Sequence, residues 1–440
     1  MKNYVKGKST VKNKILKLIK KPFVRNVAIL TSGTAAAQLV GLASSPIITR
    51  LYGPESYGLM GTFMAIVSII APVAALTFPI AIVLPKKERD AIGLIRLSLI
   101  ITISIAVISA LVLLFYYRQI AHVFRLEDIA NYLFLIPFVI LCAGFLQVVE
   151  QWFVRTKQYA ISAKVSVLQA ILINGGKVGI GFVYPVTSVL IVFSSFARGL
   201  KALLMILFAR RFNYKQFSIE HTEKVSLKTL FNRHKDFPMY RAPEVFLNSI
   251  SGSLPILLLT SLFGPSSAAF YSIGRTVLSL PTQLIGKSVG DVFYPRISEA
   301  ANVGENLTKL IKKATLTLAV VGSLPFGIVI ILGPILFSFV FGEDWATAGE
   351  YARWIALWTY FGFMNRPSVM ALPVLSAQAF HLIYTIIMLI TRIVALTIGF
   401  YIFSSDKVAI ALFGISGALL NIGLILITMI ISKKYDKSKK

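Results

Sequence analysis

A single cysteine, Cys142, stands among 440 residues, so no disulfide can form within the chain and a cysteine-rich metal site is excluded. Histidine is nearly as scarce. His122, His221, His234 and His381 are scattered, at none of the spacings that hold a metal. Acids number 18 against 45 lysines and arginines, and charged residues of either sign make up only 14% of the chain. That is well short of the roughly 25% usual in soluble domains. No Gly-x-x-x-x-Gly-Lys-Ser/Thr phosphate loop is present. Gly176, Gly179 and Gly181 lie inside an apolar stretch with no strand before them. Intrinsic ATP use is therefore not expected.

Apolar residues take the place of the missing charge: 56% of the chain is hydrophobic and the mean hydropathy is +0.76. Runs of roughly 20 residues, the length that crosses a hydrocarbon core, recur from end to end. They predict an all-α polytopic membrane protein of about twelve spans, at 25–49, 57–84, 92–117, 129–154, 159–183, 185–209, 238–263, 268–294, 311–341, 349–376, 380–403 and 406–432. Pro325, Gly333 and Pro334 interrupt the ninth, which is expected to kink or tilt there. Small residues in the first span (Gly33, Ala35, Ala36, Ala37 and Gly41) suit close helix packing. Cys142 falls inside a span, where packing is the default role of a lone thiol.

The charge present is arranged by topology. Lys2, Lys6, Lys8, Lys12, Lys14, Lys17, Lys20, Lys21 and Arg25 crowd one terminus; Lys433, Lys434, Lys437, Lys439 and Lys440 crowd the other. Alternate loops are basic as well, at Lys86, Lys87 and Arg89, at Arg155 and Lys157, at Arg210, Arg211 and Lys215, and at Lys309, Lys312 and Lys313. By the positive-inside rule both termini are cytoplasmic. The net charge of +27 then needs no nucleic-acid partner, since basic segments at that face meet anionic lipid. Val11 to Arg25 has apolar residues Ile15, Leu18 and Ile19 among lysines, which fits either a surface-lying helix or a solvated basic tail. The expected organisation is a basic tail (1–24), a six-span half (25–209), a cytoplasmic linker (210–237), a second six-span half (238–432) and a second basic tail (433–440).

The halves share a motif. Leu51-Tyr52-Gly53-Pro54-Glu55-Ser56 follows the first span and Leu262-Phe263-Gly264-Pro265-Ser266-Ser267 follows the seventh; each leads into a span. Val83-Leu84-Pro85-Lys86 then finds an echo in Tyr294-Pro295-Arg296. Gly-Pro forces a tight turn and Pro-basic marks a span exit. Six spans per half make the two copies parallel, the plan of transporters with a site near the midplane.

Four arginines, Arg198, Arg275, Arg366 and Arg392, sit near the middle of apolar spans with no acid at matching depth. Arg275 lies about 8 residues inside the outer end of its span, roughly 12 Å down at ~1.5 Å per residue. A charge at that depth costs at least ~2.5–3.5 kcal/mol on insertion scales, so it faces protein or a wet cavity. Such a set fits a cradle for an anion that crosses the membrane; bonding to carbonyls of broken helices is the structural alternative. The guanidinium fork matches phosphate oxygens two at a time. Lys177 lies in the outer half of the fifth span, and Arg241 and Lys287 complete the candidate cationic set. Arg241 with Glu244, and Lys287 with Asp291, could equally be pairs within one helix. Arg96 and Lys164 are close enough to the interface to snorkel. Gln38, Asn248, Gln283 and Asn365 are candidate sugar contacts, with Gln169, Asn174, Trp354 and Tyr360 as further amide or aromatic neighbours.

The turn Leu51-Tyr52-Gly53-Pro54-Glu55-Ser56-Tyr57-Gly58, with Phe237-Pro238-Met239-Tyr240-Arg241-Ala242-Pro243 and the run Gly286-Lys287-Ser288-Val289-Gly290-Asp291-Val292-Phe293-Tyr294-Pro295-Arg296, resembles the Wzx-type flippases of the polysaccharide transporter family. These are relatives of the multidrug and toxin extrusion proteins. The resemblance covers nearly the whole chain apart from the basic tails. It implies a V-shaped bundle in the bacterial cytoplasmic membrane that moves undecaprenyl-pyrophosphate-linked oligosaccharide from the inner to the outer leaflet. It implies no enzyme activity and no cofactor, with proton or sodium coupling left open. The partners it implies are membrane lipids, a glycan polymerase and a chain-length regulator.

Three other readings stand beside it. A cation-drug antiporter needs an intramembrane carboxylate, and the acids within spans (Glu150, Glu244 and Asp291) all lie near the cytoplasmic end. A lipid II flippase would share the cationic cavity, although such relatives usually carry more helices. A membrane polymerase or ligase would need a large external loop, and the longest external stretch, Arg118 to Asp128, offers only His122, Glu127 and Asp128. Asn306-Leu307-Thr308 matches a glycosylation sequon but is assigned to the cytoplasm.

Overall fold

The computed structural model describes the backbone of residues 22–211 and 226–438, and their side chains except at 22–28, 211, 280–281 and 283–292. The N-terminal tail, including most of the amphipathic stretch 11–25, and residues 212–225 of the linker lie outside the described residues. Among those described there is no strand. The helices are α1 (Pro22–Ile70), α2 (Glu88–Val123), α3 (Leu135–Arg155), α4 (Tyr159–Gly181), α5 (Thr187–Arg211), α6 (Leu227–Arg233) and α7 (Ala242–Phe263). They continue with α8 (Pro265–Val303), α9 (Leu307–Phe341), α10 (Ala346–Met364), α11 (Arg366–Ala371), α12 (Gln378–Tyr401) and α13 (Asp406–Ser438).

Eight stretches are long and apolar enough to cross a membrane. The first of them, Ile29–Val73, has 45 residues, about twice what a bilayer requires. It divides at Gly53 (φ 69°, ψ 173°) into the first two expected spans. The remaining expected spans are α4, α8 and α10 with α11. These three regions carry polar groups: Lys164 and Lys177, then Arg275, Lys287 and Asp291, then Glu350, Arg353 and Arg366.

Two expected spans are not continuous α-helix. The second (57–84) changes after Ile70 into short 3-10 turns at Ala71–Val73 and Phe78–Val83, with Thr77 left-handed between them. The Gln147 amide donates to the Ala71 carbonyl at 2.7 Å and the Arg155 guanidinium to those of Ile82 and Pro85 at 3.0 and 2.7 Å. These bonds satisfy carbonyls freed by the break. The tenth (349–376) ends as α10 at Met364, resumes as α11 at Arg366 and leaves helix after Ala371. Conversely, α9 runs uninterrupted through Pro325 and Pro334. Near Pro334 the Arg353 guanidinium donates to the Ile331 carbonyl at 2.8 Å, so a bond to a disturbed helix carbonyl does occur, but from an arginine outside the expected four.

Helix α9 shows what the surroundings must be. Val320, Leu324, Ile331, Ile335 and Phe339 are all exposed, Phe339 at 79%, while Leu318, Phe326, Phe337 and Phe341 are buried on the opposite face. A helix apolar on both faces, one of them open, is solvated by lipid. Its start is capped by the Asn306 side chain, which accepts from the Lys309 amide at 2.7 Å. The Asp436 carboxylate takes the Leu307 and Thr308 amides at 3.0 Å each. Asn306 and Thr308 of the sequon thus serve a helix start.

The described residues form two compact units. Unit 1 falls within 1–51, 63–122 and 126–253, and unit 2 within 52–62, 123–125 and 254–440. In unit 1, α3 and α4 pack on α5 around Phe78, Ile82, Leu94, Val165, Met205 and Leu230. Of the small residues in α1, Gly33 approaches Ala163 so closely that a Cβ there would lie 2.4 Å from the alanine Cβ, whereas nothing stands within 4 Å of one at Gly41. In unit 2, α10 packs on α8, α9 and α13 around Tyr271, Phe326, Trp345, Tyr351, Phe363 and Phe413. The repeated turns meet inside this unit. Gly264 (φ 99°, ψ 172°) repeats the backbone of Gly53, and the Thr62 and Thr260 hydroxyls share a hydrogen bond of 2.6 Å.

Candidate functional site

A cavity of about 440 Å³ opens inside unit 2. Helix α8 contributes Arg275, Ser279 and Thr282, spaced i, i+4, i+7 on one face. Helix α12 contributes His381, Met388 and Arg392, spaced i, i+7, i+11. Trp358, Thr359 and Gly362 come from α10, Asn365 and Arg366 from the junction of α10 with α11, and Asn421 and Leu424 from α13. Three arginines and a histidine line the cavity, and among the described lining side chains there is no aspartate or glutamate.

Each polar group is positioned by its neighbours. The Arg392 guanidinium carbon lies 4.6 Å from the centre of the Trp358 ring and 5.8 Å from that of Phe413. Such stacking is worth ~0.5–2 kcal/mol and holds the plane of the fork. Trp358 is itself set edge-on to Phe413, 5.3 Å between centres. Arg275 lies beside Tyr271, one turn earlier, and Arg275 and Arg392 are close enough to repel each other. Two such cations side by side favour a bound anion. The Asn365 amide donates to Asn421 Oδ1 at 3.1 Å, and the Asn421 amide to the Gly417 carbonyl at 2.8 Å. Asn365 is 3% exposed, and its Oδ1 is a buried acceptor without a protein partner.

The sequence-derived candidates separate as follows. Arg275, Arg366, Arg392 and Asn365 line this cavity. Arg198 and Lys177 belong to unit 1. Arg198 lies beside Cys142, and its Nη1 is buried without a partner. Cys142 is also in close packing, since a Cβ on Gly199 would meet its sulfur at 2.8 Å. Arg241 is exposed and pairs with Glu244 at 2.9 Å, the pairing within one helix. Gln38 and Asn248 are exposed. The side chains of Lys287, Asp291 and Gln283 lie outside the described residues. Tyr360 donates to the Ala319 carbonyl at 3.1 Å, and the Asn174 amide to that of Ala170 at 2.8 Å. Trp354 packs against Gly414.

Sequence reasoning missed Trp358, His381, Asn421, Ser279 and Thr282 as lining residues. The one-face spacing of Arg275, Ser279 and Thr282, and of His381 with Arg392, was a usable signal; the contribution of α13 was not. It also missed Lys201, which joins Glu150 at 2.7 Å in unit 1. Among the described residues no cluster of side chains suits a metal. His122 pairs with Glu127 at 3.0 Å on the exposed surface.

A protein-family profile described as "Polysaccharide biosynthesis protein" matches residues 47–350. No curated protein matches the chain by sequence. Among solved structures, it is similar to an inward-facing multidrug resistance MATE family transporter of the MOP superfamily (14% identity, TM-score 0.68, covering 91% of this chain and 96% of that one). It is also similar to the lipid II flippase MurJ in an inward closed conformation (15%, TM-score 0.68, 94% and 90%). A third similar structure is a MOP superfamily transporter from Pyrococcus furiosus, described as having a binding pocket of reverse polarity that suggests a different function (15%, TM-score 0.57, 94% and 96%). At these identities the likeness shows a common fold, that of a multi-pass membrane transporter.

Proposed function

The chain belongs to the polysaccharide biosynthesis protein family, and from that premise we propose that it is a Wzx-type flippase. It moves undecaprenyl-pyrophosphate-linked oligosaccharide from the inner to the outer leaflet of the bacterial cytoplasmic membrane, with both termini cytoplasmic. The observation that carries this reading is the cavity that holds Arg275, Arg366 and Arg392 with no carboxylate among its described lining side chains. Arginine forks bind pyrophosphate oxygens in pairs, and the amide and indole groups of Asn365 and Trp358 in the same lining suit a sugar. The same absence of a carboxylate disfavours this cavity as the site of a cation-drug antiporter.

The reading makes the protein a transporter without chemistry of its own. Alternating access brings the basic cavity to one leaflet and then the other, with the lipid tail left in the bilayer. Moving negative charge out of a cell that is negative inside gains ~2.3 kcal/mol per charge per 100 mV. The potential therefore biases export without a cofactor; proton or sodium coupling would add to it. Glycan polymerase and chain-length regulator are the partners this role calls for.

The test is reconstitution in liposomes with a fluorescent short-chain undecaprenyl-pyrophosphate oligosaccharide, comparing leaflet exchange for the wild type and Arg275→Ala. Exchange by the wild type that Arg275→Ala loses is the expected result. Full exchange by Arg275→Ala sinks the cationic site. Wild-type exchange of lipid II in preference to the oligosaccharide reassigns the cargo.

A further inference from the structure

A second cavity, about 470 Å³, lies in unit 1 among the basic loops. Lys86, Lys87 and Arg89 line it from the turn that begins α2, and Arg233 and His234 from the end of α6. Among the described lining residues Asp90 supplies the carboxylate, bonded to Arg233 at 3.0 Å and facing Arg89 at 3.8 Å. Lys86 and Lys87 thus bring two exposed ammonium groups to the concave surface on which Arg233 bonds Asp90.

The shape of this pocket is held by its own packing. Its rim at Ile82 to Pro85 is pinned by the two hydrogen bonds from Arg155. The turn before that rim is held to α6 where Phe78 packs on Phe231, 5.5 Å between ring centres. The Thr77 hydroxyl ties the same turn to the Phe237 carbonyl at 3.1 Å. The His234 Nε2 is buried without a partner. Lys86 and Lys87 are exposed, with no acid bonded to either. A solvated charge run would spread its cations, whereas here they converge.

We propose that this pocket binds the phosphate group of an anionic ligand at the membrane face that carries the basic loops. A phosphate oxygen can accept from the lysine ammonium groups, from the guanidinium edge of Arg233 and from His234 together. Basic pockets of this kind between membrane helices recognise lipid headgroups. The apolar fringe favours that source: Leu84 lines the pocket and is 61% exposed, next to exposed Val83, where an acyl chain would lie. A bound phosphate ties the start of α2 to the end of α6, which the Arg233–Asp90 pair otherwise joins at this pocket.

The experiment uses the full chain in nanodiscs and reads the thermal unfolding midpoint. Three conditions are compared: phosphatidylcholine alone, phosphatidylcholine with phosphatidylglycerol, and phosphatidylcholine with inorganic pyrophosphate in solution. The pocket variant is Lys86→Gln/Lys87→Gln. The control is Lys433→Gln/Lys434→Gln, which removes equal charge from exposed positions outside the pocket. The expected result is a rise of a few degrees with phosphatidylglycerol that the pocket variant loses and the control keeps. A rise with pyrophosphate instead, lost in the same variant, assigns the site to a soluble phosphate. No rise with either probe overturns the proposal, as does equal loss in both variants, which would mark diffuse attraction to an anionic surface.

Discussion

The two copies of the Gly-Pro motif begin alike and diverge within twenty residues. Gly53 and Gly264 share a positive φ with extended ψ, and a proline opens the helix after each. In the second copy that helix, α8, continues without a break to Val303. In the first it fails at Ile70, and two 3-10 turns follow. Charge diverges too. The position equivalent to Arg275 in the first copy is Met64, and that equivalent to Thr282 is Ala71, whose carbonyl is taken by Gln147. The repeat has therefore kept the turn and assigned the polar cavity wall to the second copy. A turn is conserved by backbone geometry alone, whereas each helix face is free to follow its own neighbours.

The sharpest way to break this contrast is to give the second copy the residue of the first. Arg275→Met should lower leaflet exchange at least about tenfold, since losing a hydrogen bond to a charged group costs ~1.5–3 kcal/mol. Arg275→Lys should recover only part, because an ammonium lacks the planar fork. If both variants exchange at the wild-type rate, the difference between copies is not functional. The shared turn gives the next effect. Gly53→Ala and Gly264→Ala each force a side chain into a backbone region essentially reserved for glycine, at a cost of ~1–3 kcal/mol. Unfolding midpoints should fall for both; a fall in one alone would mean that the two turns are not under equal constraint.

Unit 1 offers a smaller test. There Glu150 and Lys201 neutralise each other, while the described lining of the unit 2 cavity has no acid. Glu150→Gln should cost about 1–2 kcal/mol, less than the ~3–5 kcal/mol of a fully buried pair, because both side chains are partly exposed. Adding Lys201→Met should restore much of the loss in a chemical unfolding series. The smallest effect belongs to His234. Burial first, then Arg233, hold its imidazole below the usual value, with Asp90 opposing. A depressed folded value means that the unfolded chain binds the proton more tightly. Stability should therefore be full above pH ~6.5, the unperturbed value, and decline as pH falls below it. His234→Gln should flatten that slope, and an unchanged slope would assign the pH response to other groups.

The helical fold was legible because apolar runs of spanning length need no tertiary information. Even so, α4, α8 and α10 fall short of the apolarity of the others, and they are the helices with polar work inside the protein. Composition also revealed Arg275, Arg366 and Arg392 as costly residues that need an interior. Nothing in their spacing separated them from Arg198, which stands in unit 1 beside Cys142. His381 passed as an isolated histidine until α12 was seen to place it one face with Arg392.

The sequence by itself determined that the chain spans a membrane many times, that two halves share a Gly-Pro turn, and that cations lie at depth without acids. These follow from hydrophobic length, from the pairing of positive φ with extended ψ that is essentially reserved for glycine and from the cost of burying charge, all of which act residue by residue. Only the tertiary structure decided which cations share a cavity, which carbonyls are bonded after the breaks at Ile70 and Met364, and that Lys86, Lys87, Arg89 and Arg233 converge on one pocket. Such outcomes depend on the rotation of each helix about its axis and on the partner it meets. Those are set by packing between segments far apart in the chain.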